Sequence, residues 1–195
     1  MAELSIGVVA ESGNDCEVIR TLIGRIFETK QIPSGKYKVI KRAGEGCSKL
    51  RRKAERWMRE LSGCGCSSII LVHDCDRHDE ASLRAELHAL AVPEGIGRFV
   101  CIPIEEIEAW FFSSERALHL VCGDRARSHP SPHLISSPKE KLIDLSRGAN
   151  RKPRYSPNDN VKLAEVLELD VCAQRCPAFR ELRTFLLNLV QAVAT

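Results

Sequence analysis

The sequence predicts a three-layer α/β domain with a mainly parallel central sheet of about four strands. Two observations predict it. Short apolar runs alternate with segments of helical period, and the apolar runs are continuous rather than alternating, as strands covered on both faces require. A chain of 195 residues with 44% hydrophobic content can bury one substantial core, so an appended segment is expected rather than a second full domain.

Residues 4–10 carry Val8 and Val9 and stop at Ser12-Gly13-Asn14, the form of a doubly buried strand. Over residues 15–27, Val18, Ile19, Leu22, Ile23 and Ile26 recur at helical spacing, with Asn14 or Asp15 placed to cap the first turn. A weaker strand at 37–40 and a helix over 49–61, striped by Leu50, Ala54, Trp57, Met58 and Leu61, repeat the pattern. The run Ile69, Ile70, Leu71 and Val72 is the most strand-like, and it leads through Asp74-Cys75-Asp76 to a helix marked by Leu83, Leu87 and Leu90. A fourth strand at 99–102 passes Pro103 into Ile104, Ile107 and Phe111, spaced as i, i+3 and i+7, so a helical turn is expected directly at the strand end. Strand and helix alternation implies right-handed βαβ crossovers. Pro130, Pro132, Pro138, Pro153 and Pro157 stand among serines and basic residues, which predicts a loop-rich, mobile segment. Phe179, Leu182, Phe185, Leu186 and Leu189 stripe a closing helix that starts at Pro177. The expected organisation is a core over 1–123, a proline-rich basic loop segment over 124–160, and a C-terminal helical extension over 161–195 packed on the core.

Basic residues number 29 and acidic residues 26, for a net charge of +3, which excludes an obligate nucleic-acid coat protein and shifts attention to local clusters. Nine cysteines are an odd number in a chain that is not small, so they read as reduced thiols of a cytoplasmic protein. No stretch approaches the ~20 apolar residues that span a bilayer, and the first ten residues lack the charged and apolar regions of a leader; a soluble protein with no membrane partner is expected.

Ligands of an open parallel sheet bind beyond the carboxyl ends of its strands. Glu11 ends the first strand, Asp74 and Asp76 end the third, and Glu105 and Glu108 follow the fourth, so separate crossovers bring carboxylates to one edge. Alternation along an extended chain puts Asp74 and Asp76 on one side and His73 and Cys75 on the other. Glu105 and Glu108 are expected to share a helical face. Crowded carboxylates raise one another's pKa unless a cation neutralises them, and an oxygen-only cluster suits Mg²⁺ or Mn²⁺. Each acid also has an ordinary reading, Glu11 as a polar strand end and Asp74, Asp76 and Asp79 as helix caps. Coincidence at three strand ends carries the metal reading.

These residues resemble a known family. Val8-Val9-Ala10-Glu11-Ser12-Gly13-Asn14-Asp15 resembles the strand, glutamate and small polar turn that open the Toprim domain, and Leu71-Val72-His73-Asp74-Cys75-Asp76 resembles its aspartate-x-aspartate strand end. Ile104-Glu105-Glu106-Ile107-Glu108-Ala109-Trp110 resembles the glutamate-rich segment of small stand-alone bacterial Toprim-like proteins of the DUF4276 type, related to OLD-family nuclease domains. Cys176-Pro177-Ala178-Phe179 is similar to the family's closing helix. The resemblance implies a Toprim/Rossmann-like fold and a metal-dependent nuclease: the aspartates bind Mg²⁺, Glu11 is base or ligand, and Glu108 joins them. A cation beside the transferring phosphoryl group is also expected, and the loop offers Lys139, Lys141, Arg151, Lys152 and Arg154, of which Lys139 and Lys152 are put forward. It further implies hydrolysis of DNA or RNA in bacterial antiviral defence, beside a partner ATPase of the ABC or AAA type encoded nearby. A topoisomerase would need a tyrosine nucleophile, and Tyr37 and Tyr155 both stand in weak contexts. Hydrolysis is therefore the expectation.

Nucleic acid needs a cationic surface. Lys49, Arg52, Lys53, Arg56 and Arg59 gather away from the apolar stripe of their helix, and Arg147, Arg151, Lys152 and Arg154 form a second group; a solvated basic face is the ordinary alternative. Cys64 with Cys66, and His73 with Cys75, lack the second pair of a zinc site. His78, His119, His129 and His133 lack the partners of a nucleophilic triad. Gly44-Glu45-Gly46 lacks the lysine and serine of a phosphate loop. Two other readings stay open. One is a noncatalytic α/β regulatory module that binds a metal or a partner, and the other a phosphotransfer receiver, against which the late glutamates speak. A homo-oligomer is compatible with each.

Overall fold

In the computed structural model, which describes residues 4–44, 46–148 and 151–194, four strands form one sheet. Glu45 lies outside the described residues. The strands are β1 (Leu4–Ala10), β2 (Tyr37–Ala43), β3 (Ser68–Val72) and β4 (Gly97–Cys101), all parallel, in the order β2-β1-β3-β4. The crossovers are the helices α1 (Gly13–Glu28), α2 (Cys47–Gly63) and α3 (Glu80–Ala89). The chain leaves β1 for β2 on one side, then returns past β1 to lay β3 and β4 on the other. Connections therefore diverge between the carboxyl ends of β1 and β3, the topological switch point where such sheets open a crevice.

Side-chain alternation along the strands builds two cores. Ile6, Val8, Ala10, Ile70 and Val72 pack with Val18, Ile19, Leu22 and Ile23 of α1. Val9, Ile69, Leu71 and Val100 pack with Leu50, Ala54, Met58 and Leu61 of α2 and with Leu83 and Leu87 of α3. Gly7 permits the close approach of α2: a Cβ there would meet Leu61 Cδ1 at 2.9 Å and Ile69 Cγ1 at 3.1 Å. The α1 face is completed by α4 (Glu115–Cys122), α5 (Pro138–Leu145), α6 (Asn160–Val166), α7 (Leu169–Arg175) and α8 (Pro177–Ala194). Phe179 of α8 meets Trp110 edge-on at 5.3 Å, and Phe185 stacks on Phe99 of β4 at 4.8 Å. Among the described residues no helix is long and apolar enough to cross a membrane.

Three local expectations are corrected. Ser12, rather than Asn14 or Asp15, caps α1: its hydroxyl accepts from Asp15 N at 3.1 Å while Asp15 Oδ2 accepts from Ser12 N at 3.0 Å, a reciprocal box. No helical turn follows β4 directly. Glu105 takes a left-handed φ of 58°, and a 3₁₀ run begins only at Ile107–Ser113. The proline-rich segment is more structured than its composition suggests, because it contains α5, the short turns Pro132–Leu134 and Pro157–Asp159, and the buried Tyr155. Each helical piece starts at a proline whose fixed φ suits a first helical position.

Candidate metal centre

The site grows from the end of β1. The β1–β2 ladder continues past the strands, with Gly44 N donating to Ala10 O at 3.0 Å and Gly46 N to Glu11 O at 3.2 Å. Gly46 adopts φ 97°, a conformation glycine supplies at little cost, and this turn delivers Cys47 as the first residue of α2. Cys47 Sγ donates to Glu11 Oε2 at 2.9 Å and lies 3.6 Å from Asp76 Oδ2. Burial and the bond to Glu11 push this thiol up to about 12. On the other side of the glutamate, Asp74 N donates to Glu11 Oε1 at 3.1 Å and His73 Nδ1 lies 3.0 Å from the same oxygen. The carboxylate is held from both ends, with only 13% of its side chain exposed.

The end of β3 supplies the aspartates. Asp79, not Asp74 or Asp76, caps α3 by accepting from Ser82 N at 2.8 Å, so the two earlier acids are not committed to a helix end. Asp74 Oδ1 accepts from Ile107 N at 3.0 Å. Burial holds the Asp74 carboxyl well above the usual carboxylate range, and the charges of Asp15, Glu108, Glu11 and Asp76 push the same way. Acids from the end of β1, from α1, from the turn after β3 and from the Ile107–Ser113 run all act on Asp74. Asp76 has φ 47°, and its N–H donates to the carbonyl of the equally left-handed Glu105 at 2.8 Å. Paired left-handed residues without glycine cost about 1–3 kcal/mol each and persist where the surroundings over-determine them, often at functional sites. Asp76 and Glu105 also line a cavity of about 420 Å³ with Arg77, His78, Glu106, Ser137 and Glu140, which opens the acidic edge to solvent.

Behind the aspartates lies a buried polar network. Glu108 is 3% exposed, and its Oε1 accepts from Asn160 Nδ2 at 3.0 Å, with Tyr155 Oη at 3.5 Å and Lys139 Nζ at 3.9 Å. Burial raises the Glu108 carboxyl, while Lys139 opposes the shift. Lys139 Nζ bonds Glu106 Oε1 at 2.9 Å, and its backbone N–H bonds Glu106 Oε2 at 3.0 Å. Its ammonium is raised despite desolvation because Glu108, Glu106 and Asp74 surround it.

Glu11 and Asp76 thus flank Cys47 Sγ, Asp74 bonds Glu11 through its backbone N–H, Glu108 acts on Asp74 through its charge, and Lys139 of the proline-rich segment approaches Glu108. Glu105 reaches the edge beside Asp76, but it does not share a helical face with Glu108, since the chain turns between them. His73 corrects a further expectation. Regular alternation ends with Val72, and the His73 ring turns to Glu11 instead of away from the aspartates, while Cys75 Sγ does point elsewhere, to His78 O at 3.2 Å. Arg151 and Lys152 are exposed in the loop closed by the Arg147–Pro153 bridge, and Arg154 is exposed just after it. On α2, Arg52 and Arg56 are exposed and Lys49 and Lys53 half-buried; Arg56 pairs with Glu60 at 2.8 Å and Lys53 lies over the Trp57 ring at 5.8 Å. Cys47 and Arg51 escaped the sequence reading, which gave Asp15 only a capping role and turned His73 away from the acids; Asp15 in fact sits at the third position of the box that Ser12 caps, and Cys47 and Arg51 lie on a helix whose register against the sheet no sequence periodicity fixes.

A family model described as a domain of unknown function, DUF4276, matches residues 11–187. No curated protein and no solved structure matches the chain.

Proposed function

We propose that this chain, which belongs to the DUF4276 family, is a divalent-metal-dependent phosphodiesterase that hydrolyses DNA or RNA in the cytoplasm. The observation that carries the reading is that Cys47 Sγ links the Glu11 and Asp76 carboxylates while Asp74 N bonds Glu11 at the β1/β3 switch point, with Asp74 held toward its protonated form by burial first and then by the acids around it. A hard cation relieves that repulsion, and the oxygen donors fit Mg²⁺ or Mn²⁺. Glu11, Asp74 and Asp76 would hold it. Such an ion offsets phosphate charge and lowers the pKa of water. The residues of the chain do the rest. Both Glu11 oxygens already accept from His73, Asp74 and Cys47, which favours the role of ligand over that of base. Lys139 brings positive charge beside Glu108. The amino end of α2 carries no side-chain cap and abuts Glu11 through Cys47, so its first N–H groups and its dipole favour a phosphate oxygen there. Lys49, Arg52, Lys53 and Arg56 continue from that end and suit a nucleic-acid backbone.

Relationship to Toprim and OLD-type nucleases, a setting in antiviral defence and a partner ATPase are supported by the motif resemblance of the strand ends. Hydrolysis is favoured over strand transfer because the Tyr155 hydroxyl is buried, donating to Asn160 Oδ1 at 2.7 Å. The test is incubation of the purified chain with single- and double-stranded DNA and RNA plus Mg²⁺ or Mn²⁺, alone and with any neighbouring ATPase. Cleavage that falls to background in Asp74→Asn and Glu11→Gln supports the reading. Metal binding without cleavage of any substrate returns the noncatalytic module, and cleavage indifferent to both substitutions removes the site.

A further inference from the structure

We propose that the edge takes a single divalent ion, at Glu11, Asp74 and Asp76, and that the Lys139 ammonium fills the place a second ion would need at Glu106 and Glu108. The inference rests on the reading that those three acids hold a cation, and deepens it, because two-ion phosphodiesterases divide the charge of the attacking and leaving oxygens between their metals. Here the chain supplies the second charge itself. Lys139 Nζ stands 2.9 Å from Glu106 Oε1 and 3.9 Å from Glu108 Oε1. Its backbone N–H donates to the other oxygen of Glu106 at 3.0 Å, so one lysine engages both oxygens of that carboxylate. The backbone contact follows from how α5 begins. Ser137 makes no side-chain cap and Pro138 has no N–H, so the Lys139 N–H is the first free donor of the helix, and Glu106 satisfies it. Lys139 is therefore fixed at the main chain, and only its side chain has to be ordered to bring the ammonium to the acids.

The surroundings favour an ammonium over a metal ion at that place. Mg²⁺ holds oxygen donors at about 2.1 Å in octahedral geometry and keeps several waters. Glu108 is 3% exposed, and its Oε1 also accepts from Asn160 Nδ2 at 3.0 Å, which leaves no room for a hydrated ion. An ammonium carries its charge and three donors on one atom and needs no such shell. Burial opposes the charge of Lys139, but Glu108, Glu106 and Asp74 outweigh burial and raise its pKa. The influence of the lysine thus extends to Asp74, an acid of the ion site, and the two cations act at one edge. Glu106 and Asp76 line the same cavity of about 420 Å³, so the partner of the ammonium borders the opening through which a phosphate reaches the ion. A second divalent ion at Glu106 would have to displace Lys139 from both oxygens and uncover the start of α5.

Titration of the metal-free full-length chain with Mn²⁺, read by electron paramagnetic resonance of free and bound ion, tests this. Wild type is expected to bind one equivalent, with no coupling between two manganese ions at saturation. Lys139→Met leaves Glu106 and Glu108 without their cation and should take a second equivalent at least about tenfold more tightly than wild type does. Lys139→Arg keeps the charge and should stay at one. Adding Glu106→Gln to Lys139→Met should remove the second ion again, and circular dichroism confirms the fold of each variant. Two equivalents in wild type, or a folded Lys139→Met chain that still takes one, overturn the proposal, and the wild-type count decides alone where Lys139→Met does not fold. No binding by wild type overturns it together with the metal reading. The two readings otherwise fail separately. One ion in wild type and two in Lys139→Met, without cleavage of any nucleic acid, remove the phosphodiesterase and keep this assignment, whereas two ions in wild type with Glu11-dependent cleavage do the reverse.

Discussion

His73 Nδ1 lies 3.0 Å from Glu11 Oε1, and the ring is fully buried between that carboxylate and Arg51. Arg51 itself is tied by Nη1 to Glu86 Oε2 at 3.1 Å, so the chain of contacts runs from α3 through α2 to the end of β1. His73 is thus a positioning residue for Glu11. An asparagine amide nitrogen can stand where Nδ1 stands, whereas a leucine offers no donor. His73→Leu is expected to weaken Mg²⁺ or Mn²⁺ binding by about 10–100-fold, and His73→Asn by much less. Calorimetric titration of both variants decides, and equal losses in the two would show that His73 acts only by filling space.

Asp74 makes a prediction about pH. Its folded-state pKa is raised, so between the ordinary carboxylate range and the raised value the native state binds more protons than the unfolded one. Stability of the metal-free protein then falls as pH rises through that window, with the full penalty present above it. Asp15 and Glu108 are shifted in the same direction and add to the slope. Asp74→Asn retains an oxygen for Ile107 N but carries no charge. It is expected to raise the Tm of the metal-free protein at pH 7–8 by roughly 2–6 °C and to leave it little changed near pH 4. Mg²⁺ should raise the wild-type Tm at pH 8 and not that of the variant. Thermal scans at several pH values measure both, and a variant less stable than wild type at pH 8 would contradict the assignment.

How far the sequence reached follows from the same residues. Val8, Val9 and Ile69 to Val72 announce doubly buried strands, and the acids that follow them announce a polar edge, so the parallel sheet and the meeting of Glu11 with Asp74 were legible. Glu105 was not, since its left-handed φ breaks the i, i+3 count on which a shared helical face depended. Cys47 was not legible either. Its position depends on Gly46 and on the α2–β1 packing allowed by Gly7, both features of three-dimensional approach rather than of period. Proline and serine content suggested a mobile loop over 124–160, but composition says nothing of Tyr155 and Lys139, whose buried bonds tie that segment to the site.

Tyr155 gives a prediction that separates structure from chemistry. Its hydroxyl donates to Asn160 Oδ1 at 2.7 Å, and burial raises its pKa far above that of a free phenol. Tyr155→Phe is expected to cost about 1–2 kcal/mol in urea unfolding, the loss of one buried bond with its acceptor left in place. Metal-dependent cleavage should stay within about threefold of wild type. No protein–nucleic acid adduct should be trapped by denaturing a reaction mixture. An adduct absent only in Tyr155→Phe would instead identify a strand transferase.

Lys139 and Glu108 supply the sharpest coupling. The glutamate is nearly inaccessible and the lysine is 34% exposed, so removing the lysine leaves a buried carboxylate short of its compensating charge, while solvent at Lys139 moderates the cost. Lys139→Met is expected to lose about 1–3 kcal/mol at pH 8. Without the ammonium the Glu108 carboxyl rises further, so more of it is protonated near pH 5 and the loss there should be smaller. Glu108→Gln removes the charge that needs the lysine, and the double variant should recover much of the loss. A double-mutant cycle by urea unfolding at pH 5 and pH 8 measures the coupling. Additive single effects at both pH values would mean that Lys139 answers to Glu106 alone, whose Oε1 it bonds at 2.9 Å, and that the cation does not reach the acids of the site through Glu108.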